Sequence, residues 1–135
     1  MTDTELTFQW RGDFDNGEVN ALHAQCFDHR PCADDWWTQV NRYSLGWVCL
    51  RERSRLLGFV NVAWDGGVHA FVLDTMVAKH AQRRGFATRL IEEAVRNAKQ
   101  TGCEWLHVDF EPDLRGFYFD ACGFVPTDAG LIRLR

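Results

Sequence analysis

No apolar stretch of this 135-residue chain approaches the roughly 20 residues a membrane-spanning helix needs, so no membrane role is expected. The first residues, Met1-Thr2-Asp3-Thr4-Glu5, lack the basic-then-apolar order of a signal peptide, and the expected compartment is cytoplasmic. Positive charge is scarce too: 15 Lys and Arg against 19 Asp and Glu leave a net charge of −4, which argues against a general nucleic-acid binder. Cysteines are five, odd in number and scattered (Cys26, Cys32, Cys49, Cys103, Cys122), with no CxxC pair, so reduced thiols are expected rather than a disulfide framework. Repeats, linkers and low-complexity stretches are absent. What remains, 46% hydrophobic and 25% charged, has the composition of a soluble globular protein, read as a single domain over 1–135.

One local pattern has metal-ligating residue types: His23-x-x-Cys26-x-x-His29-x-x-Cys32. It begins where an amphipathic helix ends, and Pro31 breaks any continuation. Steps of three drift around a helix axis, so four such ligands would not meet without a sharp turn. No metal is expected. Cys26 reads as a small core residue and His29 as a surface one.

The element pattern begins with Leu6-Thr7-Phe8-Gln9-Trp10, an alternating strand. Asp15-Asn16 can cap a helix carrying Val19, Leu22, His23, Cys26 and Phe27, and Asp34-Asp35 opens a second through Trp36, Trp37, Val40 and Tyr43. Strands follow over 47–51 and 56–63. Asp65-Gly66-Gly67 is a hairpin signal leading into a third, Ala70 to Ala78. Phe86, Ala87, Leu90, Ile91, Ala94, Val95 and Ala98 then recur at helical spacing, with Gly102 as the stop. Trp105 to Phe110 reads as a strand, Leu114 to Ala121 as a short helix ended by Gly123, and Phe124-Val125 as the start of a terminal strand reaching Leu131–Leu134. The order β-α-α-β-β-β-α-β-α-β describes an α/β (α+β) protein, a mixed sheet with helices on both faces.

The most informative run is Gln82-Arg83-Arg84-Gly85-Phe86-Ala87, between a strand and a clean amphipathic helix. The first N–H groups of a helix lack intrahelical partners and carry partial positive charge, and a glycine lets a phosphate come close. The expected ligand is a pyrophosphate. Residues 79–100 hold six Lys/Arg against two Glu, a surplus of four positive charges, so the rest of the chain carries −8. A basic loop on an acidic body suits a polyanionic cofactor beside a cationic substrate such as an amine.

This run resembles the acyl-CoA signature Gln/Arg-x-x-Gly-x-Gly/Ala of the GNAT superfamily of N-acetyltransferases, with Gln82, Gly85 and Ala87 in its fixed positions. The resemblance continues to Gly123-Phe124 and includes the element order. It implies a mostly antiparallel sheet splayed at strands 4 and 5, and acetyl-CoA (coenzyme A) as cosubstrate. Gln82, Arg83, Arg84, Gly85, Phe86, Ala87 and Thr88 would hold the pyrophosphate. Thr75, Met76 and Val77 of the preceding strand would pair with the pantetheine arm and supply a backbone N–H to the developing oxyanion. The implied reaction is direct attack of a primary amine on the thioester, with a small-molecule or peptide amine as acceptor. The competing class is a non-catalytic acyl-CoA-binding sensor. A homodimer is implied only by analogy with folds of this kind.

The chain departs from that family at two points. Many members carry Phe-Tyr-x-x-x-Gly-Phe with the tyrosine near the cofactor sulfur. Here Phe117-Tyr118-Phe119-Asp120-Ala121-Cys122-Gly123-Phe124 has one extra residue between tyrosine and glycine. Alignment on Gly123 puts Phe119 in the tyrosine's place and turns Tyr118 away by about 100°. Alignment on Phe117-Tyr118 keeps Tyr118 as the general acid and requires a one-residue bulge. A common family asparagine falls at Pro112, so that cofactor contact is lost or replaced. For the base, Asp74 interrupts an apolar strand, where a carboxylate is costly unless satisfied or facing a cleft. Asp109, Glu111 and His69 are further candidates. Asp109 and Glu111, two residues apart, share one strand face that would bind a cationic substrate. Trp36 and Trp37 would form an aromatic wall for an amine, or one packs in the core while the other caps it. His69 and His107 read as strand-surface residues.

Overall fold

The computed structural model describes residues 5–135, so the N-terminal reading falls almost wholly outside the described residues. Five strands form one sheet in the order β1-β2-β3-β4-β5. They are β1 (Leu6–Trp10), β2 (Ser44–Glu52), β3 (Arg55–Trp64), β4 (His69–Val77) and β5 (Trp105–His107). All neighbours are antiparallel except β4 and β5. Helices α1 (Asn16–Cys26) and α2 (Trp36–Tyr43) connect β1 to β2, and α3 (Phe86–Thr101) connects β4 to β5.

The helices start where their caps put them. At α1 the Asp15 N–H donates to the Glu18 carboxylate, and at α2 the Asp35 carboxylate accepts from Thr38 N–H. Successive strand residues point to opposite faces, which sorts the core into two halves. Gly58 lies against Leu50 and Leu90 of α3, while its neighbour Phe59 packs edge-on against Phe14 and Trp36. Phe59, Val60 and Val62 have no exposed surface, because central β3 is covered on both sides.

Two features of β4 matter for function. Asn61 pairs with Leu73 and Phe59 with Met76, so Asp74 and Thr75 together oppose the single residue Val60. This is a β-bulge, and Asp74 takes the left-handed conformation with φ 58°. In addition, β4 pairs with β5 only from His69–Trp105 to Phe71–His107. From Leu73 to Val77 the strand has no ladder partner on that side, which is the splay between strands 4 and 5.

The structure corrects the expected C-terminal elements. The strand expected over 105–110 stops at His107, shortly before Pro112, which has no N–H to give to a ladder. The expected helix over 114–121 is a 3-10 turn, Pro112–Leu114, followed by a π-helical turn, Gly116–Ala121. No terminal strand forms over 124–135. Val125, Leu131, Ile132 and Leu134 are 82–89% exposed. A three-residue β5 offers few ladder bonds to a further strand, and Pro126 and Gly130 interrupt the segment that would supply it.

Candidate active site

The loop from β4 to α3 is tied down by the Gln82 side-chain amide, which donates to Val77 O at 3.0 Å. Arg83 and Gly85 then take left-handed conformations, φ 65° and 79°. Gly85 caps α3 without a side chain, and the helix's first bond runs from Arg89 N–H to Gly85 O. The N–H groups of Phe86, Ala87 and Thr88 therefore precede the helical ladder, as an anion site requires. No atom lies within 4 Å of where a Gly85 Cβ would sit. Arg83 and Arg84 are exposed, and Arg84 lies 4.6 Å over the Phe86 ring. An open glycine cradle, unpartnered amides and flanking guanidiniums are a donor set that fits a pyrophosphate. The unpaired edge of β4 from Thr75 to Val77 leads straight to it.

At the head of that edge stands Tyr118. The extra residue of its segment is absorbed in the π turn, where Cys122 N–H donates to Phe117 O, five residues back. Gly123, at φ 80°, then lets Phe124 N–H close on Tyr118 O. The turn buries the Tyr118 ring against Phe110 and Phe124 and brings its hydroxyl to Thr75 Oγ1, 3.1 Å away across the gap between β4 and β5. Burial pushes the phenol's ionisation up; the Thr75 hydrogen bond opposes this, while Cys122 and Asp109 add to it. Tyr118 thus keeps its proton at neutral pH. Phe119 is not in this position: it packs edge-on against Phe110.

Asp74 lies next to Thr75 on the bulge. Burial raises its carboxyl above the usual range, opposed by the charge of His23 and a hydrogen bond from Asn61. His23 Nε2 is 3.9 Å from Asp74 Oδ1. Asn61, only 2% exposed, also accepts from the Ser44 hydroxyl. Beside this group, His23 Nδ1 meets His29 Nε2 at 2.7 Å. Cys26 donates to Val77 O and Cys32 to Arg30 O. His23 and His29 thus bond each other while both cysteines bond backbone carbonyls, and no group of three or more metal-ligating side chains converges among the described residues.

The remaining candidates are dispersed. Trp36 belongs to the core rather than to a wall: it is 6% exposed and its indole N–H donates to Asn20 Oδ1. Trp37 packs against Phe14 and Trp47, 5.1 and 5.7 Å between centroids, with 37% of its surface exposed. Asp109 and Glu111 are exposed but lie beyond the end of β5, so strand alternation does not put them on one face. His69 and His107 face each other at 2.7 Å across β4 and β5. A separate depression of about 760 Å³, lined by Gln9, Gly12, Asp15, Glu18 and Arg51 among others, lies at the β1 edge. Both cations in its lining are engaged: Arg51 bonds both Glu18 oxygens, Ser54 O and Asp13 O, and Arg11 bonds Leu45 O. The β4–α3 side holds the open strand edge, the glycine cradle and the Tyr118 hydroxyl.

Comparison with known proteins places the chain in a family. Residues 7–124 match the acetyltransferase (GNAT) family. The chain belongs to that family. A probable glucosamine 6-phosphate N-acetyltransferase 2 of Oryza sativa subsp. japonica is 38% identical over 60 residues, 44% of this chain and 36% of that protein. The match therefore spans about a third of that relative. Among solved structures, a probable acetyltransferase of meticillin-resistant Staphylococcus aureus superposes with a TM-score of 0.76 at 20% identity, covering 96% of this chain and 99% of that one. The aminoglycoside N-acetyltransferase AAC(6')-Iy in complex with CoA gives 0.76 at 16% identity, covering 99% and 97%. At these identities the likeness is one of fold.

Several residues of this GNAT site escaped the sequence reading. Asn61 was signalled, as a lone amide inside the apolar run Leu56 to Ala63, but its partner Asp74 lies on another strand. In the sequence His23 stands out only through the His/Cys pattern and the helical spacing of α1. Its approach to Asp74 depends on how α1 crosses β4, which no local pattern encodes.

Proposed function

We propose that this GNAT acetyltransferase transfers the acetyl group of acetyl-CoA to a primary amine by direct attack on the thioester. The observation that carries the proposal is the parting of β4 from β5 after Phe71, which leaves an unpaired strand edge running from Thr75 to the Gly85-capped helix. An extended pantetheine arm fits along that edge, with its pyrophosphate on the first turn of α3. In this reading Asp74 takes the proton of the amine as the C–N bond forms. A backbone N–H of Thr75, Met76 or Val77 holds the developing oxyanion. Tyr118 gives its phenolic proton to the departing thiolate as the C–S bond breaks, and regains one from solvent.

The acceptor inferred is a cationic small-molecule or peptide amine. The relatives' names include an aminoglycoside and glucosamine 6-phosphate as acceptors. Asp74 lies on the bulge at this gap and Asp109 acts on the Tyr118 phenol, and two carboxylates favour a cation over a phosphate. The exposed apolar residues of 125–134 support a homodimer in solution, checked by light scattering.

The test is thiol release from acetyl-CoA across an amine panel, with Tyr118→Phe beside the wild type. Amine-dependent release, lowered roughly 10- to 1000-fold in kcat by Tyr118→Phe with KM for acetyl-CoA little changed, is expected. CoA binding without release from any amine would favour the sensor. Wild-type kcat in Tyr118→Phe would leave the thiolate unassisted by this tyrosine.

A further inference from the structure

We propose that His23 and His29 form a proton-holding pair behind Asp74, returning that carboxyl to its ionised form after it has taken the amine's proton. The inference rests on the acetyl-transfer reading above and assigns two positioning residues to it. His29 Nδ1 lies 2.6 Å from Arg30 O, and a carbonyl only accepts, so Nδ1 carries the hydrogen. In a neutral imidazole the other nitrogen is then an acceptor, and it is His29 Nε2 that sits 2.7 Å from His23 Nδ1. His23 Nδ1 must donate. Its remaining nitrogen, Nε2, therefore holds a lone pair, and this is the atom 3.9 Å from Asp74 Oδ1. A backbone carbonyl thus fixes the tautomer of His29, and His29 fixes that of His23.

The neighbours hold this arrangement in place. Phe27 and Trp36 lie against the His23 ring, 4.5 and 5.4 Å between centroids. Asp74 comes from β4, His29 from the segment after α1 and Trp36 from α2. Of the charged residues on the adjoining turns, Lys79 and Asp28 pair with each other at 3.3 Å. At 3.9 Å the two groups are beyond a direct hydrogen bond, so the proton taken from the amine passes from the Asp74 carboxyl to the lone pair of His23 Nε2 through one bridging water. The resulting imidazolium shares its charge across the hydrogen bond to His29. The His23 side chain is 26% exposed, enough to release the proton to water.

The test combines a titration with kinetics. Carbon-13 NMR of the Asp74 carboxyl should show a higher midpoint in His23→Gln than in wild type, because no imidazolium can form beside it to favour the carboxylate. At neutral pH, His23→Gln should lower kcat roughly 10- to 100-fold with KM for acetyl-CoA unchanged, and added imidazole should restore much of the activity of His23→Ala. His29→Gln, which keeps an acceptor for His23, should retain activity that His29→Ala loses. An unchanged Asp74 midpoint, or a His23→Ala enzyme indifferent to imidazole, overturns the proposal. If wild type acetylates no amine, the acetyl-transfer reading falls by that result, while the Asp74 titration still decides whether the pair is proton-coupled to the carboxyl.

Discussion

Helix α3 is bounded by two glycines in the same conformation, which makes it its own control. Gly85 has φ 79° and Gly102 φ 99°, and at both an added Cβ would meet no atom within 4 Å. Replacing either by alanine therefore incurs no clash, only the cost of a left-handed L-residue, about 1–2 kcal/mol. For a domain of this length that corresponds to a fall in Tm of roughly 3–10 °C, similar for the two variants. Their effects on CoA should diverge. At Gly85 the new methyl stands beside the first N–H groups of the helix, where a phosphate must approach within hydrogen-bonding distance. At Gly102 it stands at the other end of the helix. Loss of one hydrogen bond to a charged oxygen is worth about 1.5–3 kcal/mol, or roughly 10- to 150-fold in Kd. Thermal melts give the first quantity and calorimetry with CoA the second. Equal CoA affinity in Gly85→Ala and Gly102→Ala would refute the placement of the pyrophosphate.

Three further outcomes are expected. Replacing Arg83 and Arg84 together by alanine should weaken CoA more than pantetheine, and the difference should shrink as salt is added; equal losses would assign both arginines to the fold. The acid limb of the rate profile should lie above the usual carboxylate range, because burial raises Asp74 and only its ionised form accepts a proton; Asp74→Asn should remove the limb, and a limb that persists would move the base elsewhere. Cys49 is fully buried and its thiol is pushed up from 9.0 to about 12, so its contribution to stability should be complete below about pH 9 and lost as the pH rises toward 12. Equilibrium unfolding across that range on Cys49→Ala and wild type should show a shallower alkaline decline in the variant.

What the sequence disclosed was local in character. The β4–α3 turn was legible because glycine, arginines and helical period sit side by side in the chain, and the caps at Asp15 and Asp35 for the same reason. The extra residue before Gly123 posed a definite choice between two registers, and the π turn resolves it by burying Tyr118 and leaving Phe119 against Phe110. The C-terminal strand was misread because apolar residues in 124–134 satisfy a strand pattern, whereas a strand also needs an edge long enough to receive it. The bulge at Asp74 was hidden as well. It arises from the pairing of β4 with β3: Asp74 stands out in the run Ala70 to Ala78 as a lone carboxylate, but only the partner strand shows that the register slips there. The Asp74–His23–His29 arrangement joins α1, β4 and the following loop, so it became visible only with the fold.

The central claim is that acetyl-CoA lies along the open edge of β4 and ends on the first turn of α3. Titration of the nitrogen-15-labelled protein with CoA, followed amide by amide, tests it most directly. The largest shifts are expected at Thr75, Met76 and Val77 and from Arg83 to Thr88, with the Tyr118 turn moving alongside them. Shifts gathered instead around the depression at Gln9, Gly12, Asp15 and Arg51, with the β4–α3 amides unmoved, would contradict the account.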